Sequence, residues 1–405
     1  MTGIAAISTS AVTEPSPALT HGRRVAVQRI SVTDYRNYTH ASFRPQGANV
    51  VLTGANGAGK TNLLEAVSFL APGRGLRRVR LDEVARKDSS DDATVRSWAV
   101  AVQVDGDAGP VDIGTGLDPD HQGVRERRVV RVDGAPEKNQ GVLAEHIAVV
   151  WLTPQMDGLF IDGPGERRRF LDRLVYVSDA AHVGRVTAYE KAMRDRARLL
   201  SEHGARADAG WLDALEGVMV EKGMSVAAAR RDMIGSLRVF IAGCEGPFPQ
   251  AEISLSAGPD AWLDEMPALA AEDKYRELLR ADRMRDASDG RTSTGPHRTD
   301  LLVRHADKAR EAADCSTGEQ KALLIGLVLA HARMQAAEQG RRPVILLDEV
   351  AAHLDEDRRQ ALFDMLCDLD TQVWMTGTDP ALFAGMQGRA RFFTVADGAV
   401  NEQTT

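Results

Sequence analysis

The sequence predicts an α/β fold, a mixed sheet plus helices, on three observations. A Gly-rich loop, Gly54-Ala55-Asn56-Gly57-Ala58-Gly59-Lys60-Thr61, lies between the apolar run Asn49 to Leu52 and the helical pattern Asn62 to Phe69. A second apolar run, Val344 to Leu347, ends in two adjacent carboxylates, Asp348 and Glu349. Between them, from about Pro154 to Arg285, lie long charged helical patterns, among them Ala180 to Leu200 and Trp211 to Val239. Short uncharged runs followed by helices read as buried strands of a sheet covered by helices. The long middle stretch reads as a helical lobe inserted between two parts of that sheet.

In chain order, residues 1–23 are rich in Ser, Thr, Ala and Pro and lack both a basic start and an apolar segment of signal-peptide length, so they read as a disordered tail or an upstream start assignment. Residues 24–153 form the first half of the sheet, with alternation in Trp98 to Val104 and in Arg127 to Val132 before an Asp133-Gly134 turn. Residues 154–286 form the inserted lobe. Residues 287–400 return to the sheet, with the Val344 run and a last strand, Gln372 to Thr376.

The Gly-rich loop satisfies the phosphate-loop pattern G-x-x-x-x-G-K-[ST] at each fixed position. Loop N–H groups from Gly54 to Thr61 converge on phosphates, Lys60 reaches the terminal ones, and the Thr61 hydroxyl suits Mg²⁺. In Asp348-Glu349 the first carboxylate stands by the metal and the second faces an attacking water, the Walker B arrangement. Ser316-Thr317-Gly318-Glu319-Gln320 precedes a long apolar helix and resembles the signature loop of ABC-type ATPases, in which a serine and a glycine amide close over the γ-phosphate of another head. The same residues also read as a plain capping box, Ser316 to Glu319. With the phosphate loop upstream and the carboxylates downstream, the fold class sharpens to an ABC-type P-loop ATPase head with an inserted helical lobe, using ATP and Mg²⁺. Gln155, after the strand Ile147 to Leu152, is either a ligand to Mg²⁺ and water or an ordinary Pro-Gln turn.

Composition narrows the classes. The 405 residues are 43% hydrophobic and 27% charged, with a formal net charge of −8, so any nucleic-acid contact must come from a local patch. Three cysteines without paired spacing indicate neither a zinc site nor a disulfide framework and fit a cytoplasmic protein. The longest apolar stretch, Ala322 to Ala330, is too short to span a bilayer.

Several segments together resemble the RecF family of bacterial DNA replication and repair ATPases, small relatives of the chromosome-maintenance ATPases. These are Asp34-Tyr35-Arg36-Asn37-Tyr38, the extended loop Gly57 to Ala66, Gly163-Pro164-Gly165-Glu166-Arg167-Arg168-Arg169-Phe170-Leu171-Asp172, Gly295-Pro296-His297-Arg298-Thr299-Asp300-Leu301, and Asp348 to Asp355. The resemblance runs from about residue 30 to residue 380. It implies nucleotide contacts from Arg36 and Asn37, where the residues alone also allow a solvated loop; His297 and Arg298 lack a metal-ligand spacing and read as structural or DNA-facing rather than catalytic. Asp355 reads as a signal across a dimer interface or as a helix cap. The histidine that other ABC ATPases carry after the last strand is absent, with Met375-Thr376-Gly377-Thr378-Asp379 in its place. No heptad pattern persists long enough for the extended coiled coil of the chromosome-maintenance proteins.

Further implications of the resemblance are a homodimer formed on ATP, slow hydrolysis coupled to DNA binding at gapped or single-strand/duplex junction DNA, RecO and RecR as partners, RecA loading, and the SOS response. Arg74, Arg77, Arg78, Arg80 and Arg86, then Arg125, Arg127, Arg128 and Arg131, then Arg167 to Arg169, are the basic clusters, read as DNA contacts or as solvated faces paired with acids. The competing functions are an ATPase subunit of an ABC importer, disfavoured by the missing histidine, and a clamp that binds ATP without hydrolysing it, disfavoured by intact Lys60, Asp348 and Glu349.

Overall fold

The computed structural model describes residues 24–403 apart from 88–96, 107–108, 119–126, 245, 257 and 341; the N-terminal tail expected over 1–23 lies outside them. The chain runs through β1 (Ala26–Tyr35), β2 (Tyr38–Phe43), β3 (Asn49–Thr53) and α1 (Lys60–Ser68), then β4 (Ala99–Gly106), β5 (Gly109–Leu117), β6 (Arg128–Val132) and β7 (Ala135–Pro136). A short α2 (Leu143–His146) leads to β8 (Val149–Leu152), α3 (Pro164–Ser178), α4 (Ala181–His203), α5 (Ala209–Ala242), β9 (Ala251–Leu255), α6 (Pro259–Glu265), α7 (Ala268–Ala281) and α8 (Arg283–Asp289). The last part holds β10 (Leu301–His305), β11 (Arg310–Glu311), α9 (Thr317–Gln339), β12 (Val344–Leu347), α10 (Glu356–Asp368), β13 (Val373–Gly377), β14 (Ala390–Ala396) and β15 (Ala399–Glu402).

The mixed sheet expected around the phosphate loop is two separate sheets. One is antiparallel, in the order β2-β1-β4-β5-β6-β7; the other, β15-β14-β3-β13-β12-β8, is parallel except for the β14–β15 hairpin. Two further expectations need correction. The chain does not end its sheet at β13: β14 follows and pairs parallel with β3. Nor is 154–286 wholly helical, since it contains β9, which joins β10 and β11 in a three-stranded sheet. Arg391 and Thr394 interrupt the apolar run of β14, and β9 is half polar, which hides both from a search for continuous apolar runs.

The parallel strands are buried on both faces because their side chains alternate between two cores. Val50, Leu52, Val149, Trp151, Val344, Leu346 and Trp374 meet α1 and the antiparallel sheet. Val51, Val150, Leu152, Ile345, Leu347, Val373 and Met375 meet α3, α9 and α10. A period of two with both faces covered gives the uncharged runs seen in the sequence. Trp374 is fully buried, and truncation to Ala there costs about 4 kcal/mol. Gln372 fastens the two large sheets together, accepting from Val27 N–H at 2.7 Å and donating to the carbonyls of Val27 and Ala48.

The lobe has its own core of Tyr189, Met219, Val220, Met224, Tyr275 and Leu279. Gly223 lets α5 approach closely there, since a Cβ would lie 3.1 Å from both the Tyr189 and Tyr275 rings. The boundary with the head is continuous, however: α3 and the end of α5 (Met233, Ile234, Leu237, Ile241) belong to the head core. At 34 residues, roughly 50 Å long, α5 therefore runs through both cores as one strut. Buried ion pairs lock the joint. Arg230 of α5 grips Asp172 of α3 with two 2.8 Å bonds, and His182 of α4 meets the same carboxylate at 2.9 Å. Burial raises the Asp172 carboxyl, but Arg230 and His182 outweigh it and hold the group down at about 2.

Candidate nucleotide-binding site

The phosphate loop follows β3 and opens α1, as its spacing requires. Gly54 and Gly59 are needed there twice over. Both have positive φ (145° and 114°), and a Cβ at Gly54 would sit 2.3 Å from the Val395 carbonyl, one at Gly59 2.5 Å from the Tyr38 hydroxyl. β14 thus walls the loop on one side and the segment after β1 on the other. Tyr38 Oη donates to Gly59 O at 3.0 Å and Asn37 Nδ2 to Ala58 O at 3.0 Å. Lys60 is buried and its Nζ donates to the carbonyls of Gly54 and Ala55, both at 2.9 Å. Burial lowers its pKa, opposed by the carboxylates of Glu349 and then Asp348.

Parallel pairing of β3 with β13, and of β13 with β12, carries Asp348 to the start of α1. Thr61 Oγ1 donates to Asp348 Oδ1 at 2.8 Å, joining residues 287 apart in the chain. A residue that sequence reasoning passed over completes this cluster. Thr376, buried at the end of β13, donates to the same Asp348 Oδ1 at 2.7 Å and accepts the Glu349 N–H at 2.9 Å. Glu349 has a left-handed backbone (φ 53°), and the Thr376 bond holds that otherwise disfavoured turn. The only signal in the sequence was the Met375-Thr376-Gly377 stretch in place of a histidine.

Behind the loop, Glu65 of α1 is fully buried and takes Arg36 through Nε (2.7 Å) and Nη2 (2.6 Å), with Arg77 Nη1 at 3.3 Å. Arg36 Nη1 also donates to Glu83 O at 2.9 Å. Arg36 therefore braces α1 rather than presenting a free guanidinium to a nucleotide. Asn37 is the member of the pair that touches the loop, and its Oδ1 accepts from Asn62 Nδ2 at 2.7 Å. Arg77, expected on a DNA-facing patch, instead ties Asn62 at 2.7 Å and Glu65.

Gln155 is exposed in a single 3-10 turn directly after β8, the strand that pairs with β12. Ser316, Thr317 and Gly318 are exposed at the first turn of α9. The capping box read from Ser316 and Glu319 is present: Glu319 N–H reaches Ser316 Oγ at 3.4 Å and Ser316 N–H reaches Glu319 Oε2 at 2.8 Å. Lys308 pairs with Glu319 and, with the Ser316 bonds, holds that carboxyl at about 2. Asp355 caps α10, accepting from Arg358 N–H at 2.8 Å.

The basic clusters separate. Arg128 is a correction: it is buried, with its guanidinium bonded to the carbonyls of Phe69, Ala71 and Gly73 and to Thr115 Oγ1, so it holds the loop after α1 and faces no phosphate backbone. Arg74, Arg78 and Arg127 are exposed, and Arg125 lies outside the described residues. Arg167 pairs with Asp300 through two 2.8 Å bonds and Arg168 donates to Thr299 O at 2.9 Å, so the two family segments there pack on each other. His297 meets Tyr189 Oη at 2.6 Å and Thr292 O at 3.0 Å, and Arg298 donates to the same carbonyl. His297 is half-buried and Arg298 exposed. Among the described residues no helix is long and apolar enough to cross a membrane.

The family model for the RecF/RecN/SMC N terminal domain matches residues 26–401. A curated protein of Agrobacterium fabrum, "DNA replication and repair protein RecF", is 51% identical over 379 residues, 93% of this chain and 98% of that one. Its namesake from Rhizobium rhizogenes is 50% identical over 381 residues, 94% and 99% of the two chains. Among solved structures, "the recombination mediator protein RecF-ATPrS in RecFOR pathway" superposes with a TM-score of 0.81 at 23% identity, covering 95% of this chain and all of the other. An Smc head domain from Pyrococcus furiosus gives 0.53 at 14% identity over 94% and 96% of the chains.

Proposed function

The chain belongs to the RecF family, and from that premise we propose that it is an ATP-gated DNA clamp whose composite nucleotide site is shared between two copies. It is an ATPase head of DNA replication and repair. ATP sits on the loop Gly54 to Thr61, with Asn37 bracing the loop from behind. Lys60 leaves the two carbonyls it now bonds and turns to the β/γ-phosphates. Thr61, Asp348 and Gln155 form the oxygen-rich set that suits Mg²⁺, whose charge offsets that of the phosphate oxygens. Glu349 orients water and accepts its proton, held in register by Thr376. Ser316 and Gly318 close the γ-phosphate side of the partner's loop, the helix N-terminus adding its own attraction for an anion.

One observation carries the reading. Thr61, Asp348 and Thr376 are assembled within one chain, whereas Ser316 to Gly318 stand exposed. The proposed DNA is gapped or single-strand/duplex junction DNA, with RecO and RecR as partners in RecA loading and the SOS response. A cytoplasmic location follows from that role. Sedimentation with and without ATP, repeated with gapped DNA, tests the reading: ATP should shift monomer to dimer, and DNA should strengthen the shift. A monomer under all four conditions overturns it.

A further inference from the structure

Beside Gln155 lies a cavity of about 150 Å³ between the loop after α1 and helix α3, lined by Arg74, Arg78, Arg169, Arg173 and Tyr176. That is room for several waters, and so for one oxyanion. Its floor is unusual. The Arg173 guanidinium lies 4.7 Å from the Trp151 ring and 5.4 Å from the Phe170 ring, and its Nη2 donates to Met156 Sδ at 3.3 Å. A thioether is a weak acceptor, and among the described residues no carboxylate pairs with Arg173. Burial, and then the nearby Arg78, push its pKa down to about 9, so it is still a cation at neutral pH. Desolvated cations are stable when an anion meets them.

At the rim, Arg78 and Arg169 face each other and share one half-exposed carboxylate, Glu166, which Arg169 holds closely and Arg78 reaches only at 3.9 Å. Arg74 is exposed and has no ion-pair partner among the described residues. Four arginines thus line the recess against two carboxylates, Asp162 and Glu166. Pro72, Gly73 and Arg74 line both the recess and a neighbouring cleft of about 1440 Å³ over the outer face of β4, β5 and β6, with Arg127, Arg131 and Lys138 among its lining residues.

We propose that the recess binds one phosphate group of a nucleic-acid backbone, with Arg173 beneath it and Arg78 and Arg169 at its sides, and that the adjoining cleft carries the rest of the strand. The basic cleft that adjoins the recess favours a polymer over a free ion. The inference rests on the DNA-binding reading above and sharpens it to a surface. Because Gln155 lines the same recess, a seated phosphate lies against a proposed ligand of the nucleotide site.

The test uses the full chain, with Arg78→Gln/Arg169→Gln as the first variant and Arg173→Met, which keeps the stacking volume, as the second. Duplex oligonucleotide affinity with a non-hydrolysable ATP analogue, measured by anisotropy across a KCl series, should fall about tenfold in each variant, and the salt slope should drop by about one to two contacts. With the ATP analogue bound, so that the loop Gly54 to Thr61 is filled, inorganic phosphate at constant ionic strength should raise the wild-type melting midpoint by about 2 °C and leave both variants unmoved. Unchanged DNA affinity and slope together with equal phosphate response in wild type and variants overturns the proposal. A phosphate response lost in the variants with DNA binding unchanged assigns the recess to free phosphate and overturns the backbone source. If wild type itself fails to bind DNA, the DNA reading falls, and with it the backbone source.

Discussion

Two regions contribute to the proposed nucleotide site, and they are built differently. The phosphate loop and the Asp348–Glu349 turn are closed in on themselves: Gly54 and Gly59 have no room for a Cβ, Lys60 is buried, and Thr61 and Thr376 both donate to Asp348 Oδ1. The first turn of α9 is the reverse, with Ser316, Thr317 and Gly318 exposed while Glu319 and Gln320 reach back. On the proposed function, binding belongs to the first region and assembly to the second. A chain can satisfy one without the other.

Breaking the first region should have the largest effect. Lys60→Ala should lower ATP affinity by two orders of magnitude or more, since a buried charge-assisted contact to phosphate is lost, about 3 kcal/mol. Equilibrium dialysis with labelled ATP reads it, and near wild-type affinity would refute the loop's role. Ser316→Arg should leave that affinity within about twofold and abolish ATP-driven dimerisation, because a cation at the helix N-terminus opposes the macrodipole and blocks approach. Mixed with Lys60→Ala, it should restore at most one composite site. Loss of ATP binding by Ser316→Arg alone would show that α9 serves its own chain's site.

A smaller change sharpens the contrast inside the first region. Thr376→Val keeps the shape of the side chain but removes both hydroxyl bonds. It should lower kcat about tenfold, ~1.4 kcal/mol, with KM for ATP little changed, and Thr376→Ser should recover most of the rate. Equal loss in the Ser and Val variants would mean that packing, not the hydroxyl, matters.

The smallest effect at neutral pH is on stability, and it lies away from the site. His331 is buried and His297 half-buried, and both are held at about 4, by desolvation first in each case, against 6.5 when exposed. Between those values the unfolded chain binds more protons than the folded one. Their contribution is complete above pH 6.5 and is lost as pH falls towards 4, about 2 kcal/mol for each by pH 5. Urea midpoints at pH 7 and pH 5 measure it, and ATP affinity at pH 6.5 should be unaffected.

What was legible in the sequence was local. The phosphate loop, the Val344 to Glu349 strand and turn, the long helices and the Asp133-Gly134 turn each carry their signal within about ten residues, and each stands where it was expected. What was missed depends on distant partners. Arg128 looked like its basic neighbours, yet its place on β6 turns it towards the carbonyls of Phe69 and Gly73. Arg36 is engaged by Glu65, Thr376 meets Asp348 only through the pairing of β12 with β13, and β9 is a strand because β10 lies beside it.

The neighbours of β3 bear on how the molecule is made. Both strands that flank it, β13 and β14, are drawn from residues 373–396, so the phosphate loop is translated some three hundred residues before the walls that shape it. A nascent chain on the ribosome, emerging at about 5–20 residues per second, would hold its loop unformed for tens of seconds. During that time the proposed nucleotide site would lack two of its walls. A product cut short before β13 would lack both neighbours of β3.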